Sequence, residues 1–167
     1  QLFAEKGWTV FELSRSGKSN QDVTHIDCDV TDDESVKQAI SEVMQRIDHL
    51  DVVINNAGFG ISGPIEYTST TEAQKQFDVN FFGAFRLTKA VLPILRKQGR
   101  GRIIFTSSVA ADLSIPYQSF YSASKSALNA MALALANEVR EFGIRVSVLM
   151  PGDVATGFTD AREKNIH

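Results

Sequence analysis

The chain has one cysteine, Cys28, one tryptophan, Trp8, and four prolines among its 167 residues. A single thiol excludes an internal disulfide and fits a reducing, cytoplasmic setting. Cys28 lies in an apolar-rich strand pattern, where it reads as a small buried side chain rather than a redox centre. No apolar run approaches the ~20 residues that cross a bilayer. Basic residues are not in surplus: 17 Lys and Arg stand against 20 Asp and Glu, a net charge of -3, which argues against nucleic acid or an anionic membrane as a partner. No metal-ligand cluster is expected. No repeat, low-complexity tract or Pro/Gly/Ser-rich linker divides the chain, so residues 1–167 read as a single domain. There is no initiator Met and no signal-peptide pattern; Gln1 to Lys6 instead reads as a helix end, stopped by Gly7.

What is present is an alternation of strand-like and helix-like stretches. Strands are expected at Trp8–Ser14, Val23–Val30, Asp51–Asn55, Arg102–Ser107 and Ile144–Met150. Helices are expected at Asp32–Ile47, opened by an Asp cap and an acidic first turn, at Thr70–Lys97, capped by Thr70 or Thr71, and at Phe120–Phe142, ended by Gly143. Pro93 is placed to end or kink the second of these. Several strands are continuous apolar runs, the pattern of strands covered on both faces. Strand–helix–strand order with such runs gives the doubly wound α/β class, a parallel sheet with helices on both faces. Ligands then bind in loops beyond the carboxyl ends of the strands.

Three features sit in such loops, in fixed order. Asn55-Asn56-Ala57-Gly58 follows the strand DVVI. Ser107-Ser108 follows RIIFT. Tyr121-Ser122-Ala123-Ser124-Lys125 opens a helix, with Tyr121 thirteen residues after Ser108. At i and i+4, Tyr121 and Lys125 share one helix face, with Cβ atoms about 5–6 Å apart. A phenol has an ordinary pKa near ~10, too high for an efficient proton relay at neutral pH, and a fixed ammonium nearby favours the phenolate. Such a pair can give a proton to a bound oxygen atom, or take one in the reverse direction.

With Pro151-Gly152, this set resembles the short-chain dehydrogenase/reductase family, in the single-domain branch carrying NNAG and YxxxK motifs. The likeness runs from Gln1 to the region of Phe158. It implies a Rossmann-type fold and interconversion of a carbonyl and an alcohol by hydride transfer. By resemblance, Ser108 holds the substrate oxygen against Tyr121, with Ser107 one position away as the competing hydroxyl. Lys125 also binds the nicotinamide ribose, and Asn80 holds a water in the proton path. Asn56, Ala57 and Gly58 pack beside the adenine ribose, Asp29 and Val30 meet the adenine ring, and Pro151, Gly152, Val154 and Thr156 hold the nicotinamide carboxamide. Asp29 competes for a second role, as a helix cap, with Thr31 and Asp32.

Coenzyme choice turns on the strand end Ser14-Arg15-Ser16, where a carboxylate is absent and a guanidinium present. A planar fork of donors suits a 2′-phosphate, so NADP(H) is expected over NAD. Glu12, two residues earlier, is the complication. No glycine-rich turn precedes Gln1, so a first strand and phosphate site, about 20 residues, are expected to be missing, and a C-terminal segment with them. Phe59, Leu113, Ile115, Tyr117 and Phe158 give the substrate side an apolar character, pointing to a lipophilic small molecule. The short turn Arg15–Thr24 resembles the branch holding hydroxysteroid, retinol and acyl-dihydroxyacetone-phosphate reductases. Apolar residues spread widely around the Phe120–Phe142 helix; the resemblance implies that it pairs with Thr70–Lys97 across a twofold axis in a homodimer or homotetramer. Two other readings stand beside the reductase: a nucleotide-sugar dehydratase or epimerase of the same superfamily, and a non-catalytic dinucleotide-binding sensor.

Overall fold

The computed structural model describes residues 2–152 and 163–164. A short helix α1 (Leu2–Glu5) leads into parallel strands β1 (Val10–Ser14) and β2 (Val23–Asp27), paired in register Val10 to Val23. Helix α2 (Asp33–Arg46) begins where the Asp32 side chain accepts the Glu34 amide at 2.8 Å, as the acidic first turn predicts. Strand β3 (Val52–Asn55) follows, then the two-residue strand β4 (Ile61–Ser62).

Helix α3 (Thr70–Phe77), a π-helical turn at Asp78–Gly83 and helix α4 (Ala84–Gln98) follow one another without a break. The cap is Ser69, not Thr70 or Thr71. Ser69 accepts from the Glu72 amide at 3.2 Å while the Glu72 carboxylate takes the Ser69 amide at 2.8 Å. Only Ser69 has a glutamate three positions on, and that reciprocity decides among three adjacent hydroxyls. Pro93 neither ends nor replaces the helix; it lies inside α4 on the exposed side. There water can serve the carbonyl that proline leaves without a donor.

Strand β5 (Gly101–Thr106), helix α5 (Ser119–Glu138) and strand β6 (Ile144–Leu149) complete the main architecture. A two-residue strand β7 (Glu163–Lys164) pairs with β4. All pairings among the described residues are parallel: β1 with β2, and β3–β5–β6 in a second group. Helices α2 and α4 pack on one another, and α5 lies over β5 and β6. The face they cover carries Val53, Ile103 and Phe105, the last two fully buried, against Val91, Leu95, Leu128 and Ala132. Among the described residues the main helices thus form one layer, and the opposite face leaves Ile54 and Leu149 exposed.

Strands β1 and β3 face one another without pairing. A cavity of about 780 Å³ separates them, lined by both strands and by Trp8, Val43 and Leu87. It is where the strand order reverses: the chain steps from β1 to β2 on one side and from β3 through β5 to β6 on the other. The hydrogen-bonded ladder is interrupted between β1 and β3. The mouth of this cavity, at Ser14, Cys28, Val30 and Asn55–Ala57, is the crevice beyond the strand ends.

Candidate active site

Lys125 projects from the second turn of α5 into the protein, 4% exposed, and its Nζ donates to the Thr106 carbonyl at the end of β5 at 2.7 Å. The ammonium stands 5.8 Å from the centroid of the buried Tyr121 ring. Burial pushes its pKa down from 10.5 to about 8, because it strips water from the charged form. An ammonium has three donors. Among the described residues one goes to Thr106.

The two adjacent serines are sorted by what they touch. Ser107 is buried and its Oγ donates to the Lys125 carbonyl at 3.4 Å, tying β5 to α5. Ser108 is half-buried, and its Oγ accepts the Ala110 amide at 3.1 Å, opening a short 3-10 turn (Val109–Ala111). That turn packs on α5, with Ser126 Oγ donating to the Ala111 carbonyl at 2.5 Å. Ser107 is committed to structure; Ser108 is the hydroxyl on the accessible side.

Asn80 is buried, 1% exposed. Its Oδ1 accepts the Phe59 amide at 2.9 Å and its Nδ2 donates to the Phe59 carbonyl at 3.0 Å, a two-point grip on the loop after Gly58. Nδ2 also donates to Ser124 Oγ at 3.1 Å, and Ser124 donates to the Tyr121 carbonyl at 2.8 Å. The widened π turn carries Asn80 within reach of both partners, at the cost of the regular helical ladder. Gly58 lies directly against this cluster. A Cβ there would stand 3.2 Å from Asn80 Oδ1 and 3.5 Å from Lys125 Nζ, filling the space over the ammonium.

Sequence reasoning missed two supports. Gln76, fully buried, adds a second donor to the Phe59 carbonyl at 3.0 Å. It sits one turn before Asn80, a spacing that places both on one helix face. Asn55, buried at the end of β3, donates from Nδ2 to Thr88 Oγ1 at 3.2 Å, so the first asparagine of the Asn-Asn-Ala-Gly run anchors the turn to α4 while Asn56 and Ala57 stay exposed.

On the opposite rim, Asp29 follows β2. Its Oδ1 takes the Thr31 amide at 2.9 Å and the Thr31 hydroxyl at 2.7 Å. These bonds hold its carboxyl below the usual carboxylate range. Asp32, not Asp29, caps α2. Arg15 and Lys18 are exposed in the turn after β1. Glu12 lies against that turn: its carboxylate accepts from Ser14 Oγ at 2.8 Å, stands 3.4 Å from His25 Nδ1 and borders Gly17. Cys28 is buried beside Ser35, and burial raises its thiol pKa, which suits packing rather than reactivity. Pro151 and Gly152 follow β6, where the Pro151 carbonyl accepts the Val109 amide at 3.1 Å. Val154, Thr156 and Phe158 lie outside the described residues.

A parallel α/β sheet with a crevice at its switch point defines a Rossmann-type protein, here with a buried tyrosine–lysine pair on helix α5. The chain belongs to the short chain dehydrogenase family, whose model matches residues 4–167. It is 45% identical over 163 residues to a 3-ketodihydrosphingosine reductase of Bacteroides thetaiotaomicron, covering 97% of this chain and 61% of that protein. A short-chain dehydrogenase of Streptomyces avermitilis superposes with a TM-score of 0.91 at 34% identity, over 98% of this chain and 64% of that one. The structure of ElxO with NADP bound superposes at 0.86 with 26% identity, over 90% of this chain and 66% of that one. The chain thus spans under two thirds of the length of these relatives. Among the described residues no helix is long and apolar enough to cross a membrane.

Proposed function

We propose that this protein is an NADP(H)-dependent reductase or dehydrogenase that interconverts a carbonyl and an alcohol on a lipophilic small molecule. The observation that carries the reading is the buried Lys125 ammonium, held on the Thr106 carbonyl beneath the Tyr121 ring, with donor capacity left over. The residues fit a nicotinamide coenzyme: the glycine cradle at Gly58 leaves the ammonium uncovered, and its remaining N–H groups suit ribose hydroxyls. The coenzyme, when bound, supplies or accepts the hydride. The chain's own residues handle the proton and the oxygen. Ser108 donates to the substrate oxygen and orients it. Tyr121 gives its phenolic proton to that oxygen in reduction and takes it back in oxidation. Lys125 stabilises the phenolate so formed, and Asn80 holds the loop and a water through which the proton is replaced.

The substrate side supports a lipophilic molecule. Leu113 and Tyr117 are 69% and 65% exposed on the loop after Ala111, which is tied to the β4 loop by the Gly63 amide donating to the Tyr117 carbonyl. The Bacteroides relative is named for reduction of a keto compound, in the same sense. Oxidation of NADPH followed at 340 nm with a panel of aldehydes and ketones tests the reading; no turnover with any carbonyl, by the protein from its intact reading frame, would end it.

For the coenzyme, a guanidinium at Arg15 and an ammonium at Lys18 flank the end of β1, while Glu12 is engaged by Ser14 and His25. Arg15→Ala should raise the KM for NADPH about ten-fold, the scale of one hydrogen bond to a charged group, and leave the KM for NADH within about two-fold. Equal losses with both coenzymes would remove the 2′-phosphate from this turn.

The protein also reads as a homo-oligomer. A groove of about 460 Å³ between α4 and α5 is lined by exposed Phe85 and half-buried Leu92 and Met131, and Leu133 on α5 is 66% exposed. Two copies laid across each other would bury these side chains. Sedimentation equilibrium should give a dimer or tetramer, and a monomer at micromolar concentration refutes it.

A further inference from the structure

Resting on the adenine-side reading of Asp29 and Val30, we propose that Arg86 is a positioning residue that clamps the adenine loop to the helix bearing Asn80. Arg86 stands in the first turn of α4, its side chain 16% exposed. Its Nη1 donates to the Val30 carbonyl at 3.2 Å and lies 2.8 Å from Asp78 Oδ1. The same nitrogen reaches the Asp78 carbonyl at 3.4 Å. Its Nε donates to Asp33 Oδ2 at 3.3 Å. One guanidinium therefore holds three things together: the backbone of the loop after β2, the first turn of α2 and the start of the π turn. A planar fork of donors does this where a single ammonium could not.

Packing reinforces the clamp. A Cβ on Gly83 would stand 2.8 Å from Val30 Cγ2, so the valine side chain seats directly on the helix backbone at the end of the π turn. The loop's internal bonds, from Asp29 to Thr31 and from the Asp29 amide to Ser35, fix its shape but not its place relative to the helix. Among the described residues, the bonds that span that gap run through Arg86. Val30 lines the crevice mouth on one side, and Asn80 holds the Phe59 loop and, through Ser124, helix α5 on the other. Arg86 sets the distance between them.

A residue acting through the adenine loop should affect only the adenine half of the coenzyme. Isothermal titration of the intact protein with 2′,5′-ADP and with nicotinamide mononucleotide separates the halves. Arg86→Met should weaken 2′,5′-ADP about ten-fold and change nicotinamide mononucleotide less than two-fold, with Arg86→Lys between wild type and Met. Unchanged 2′,5′-ADP affinity in Arg86→Met, or equal losses for both halves, overturns the clamp. If Arg86→Met does not fold, Asp33→Asn carries the test. It removes one exposed partner and should cost two- to three-fold in 2′,5′-ADP affinity alone; no loss overturns the clamp. Failure of wild type to bind 2′,5′-ADP at all is a different result: it removes the coenzyme reading itself, and the clamp with it.

Discussion

Tyr121→Phe should lower kcat by about 10²- to 10⁴-fold, the range that a positioned proton donor contributes. The change removes one oxygen and leaves the ring. The aromatic contact with Lys125 at 5.8 Å survives, as does the Ser124 hydroxyl's bond to the Tyr121 carbonyl at 2.8 Å, because that bond is to backbone. Coenzyme affinity should therefore change by less than about three-fold, since the Lys125 ammonium stays in place. Loss of kcat at constant coenzyme affinity is the signature of a group used in the proton transfer rather than in binding. Steady-state kinetics with NADPH and a responsive ketone, beside fluorescence titration of the coenzyme, would read both. A Tyr121→Phe enzyme retaining more than a tenth of wild-type kcat would remove Tyr121 from the chemistry. The same measurement bears on the sensor reading, in which binding persists but wild-type turnover is absent from the start.

The parts of the site that were legible in sequence are those whose chemistry fixes a residue type and whose geometry fixes a spacing. Tyr121 and Lys125 are one helical turn apart, and the helix places both on its buried face. Asn80 was legible through the family resemblance, and the structure answers with a buried amide making three hydrogen bonds. The parallel sense of the sheet followed from apolar runs alternating with amphipathic helices. The illegible parts depend on tertiary neighbours. Periodicity could not reveal the π turn at Asp78–Gly83, because the backbone that its Asn80 grips belongs to Phe59, nineteen residues before Asp78 in sequence. Nor could it show Pro93 tolerated within α4, which depends on which side of the helix meets water. Gln76 and Arg86 read as ordinary polar residues of a helix until the loops they hold are in place. The Ser69 cap is different: the serine and the glutamate three positions on are both visible in the sequence.

Lys125 gives the other large effect, and its sign in stability opposes its sign in activity. Lys125→Met removes the cation that stabilises the phenolate and the donor offered to the coenzyme, so kcat/KM should fall by about 10²- to 10⁴-fold. In wild type the same activity should decline as pH rises through about 8, where the buried ammonium loses its proton, rather than near the 10.5 of a lysine in water. Stability moves the other way. The folded-state pKa is depressed, so between about 8 and 10.5 the unfolded chain keeps a proton that the folded one has released. Unfolding then takes up a proton, and stability rises with pH across that window. Below about 8 the folded protein carries the full cost of a buried charge; above 10.5 that cost is gone. Lys125→Met has no such group, but it strands the Thr106 carbonyl without its donor at a cost of about 1–3 kcal/mol. Urea midpoints of the two proteins, measured without coenzyme from pH 7 to 10, should therefore diverge, with wild type gaining on the variant as pH rises. Parallel curves would mean that Lys125 is not buried as a cation, and the tuned ammonium on which the proton transfer rests would have to be given up.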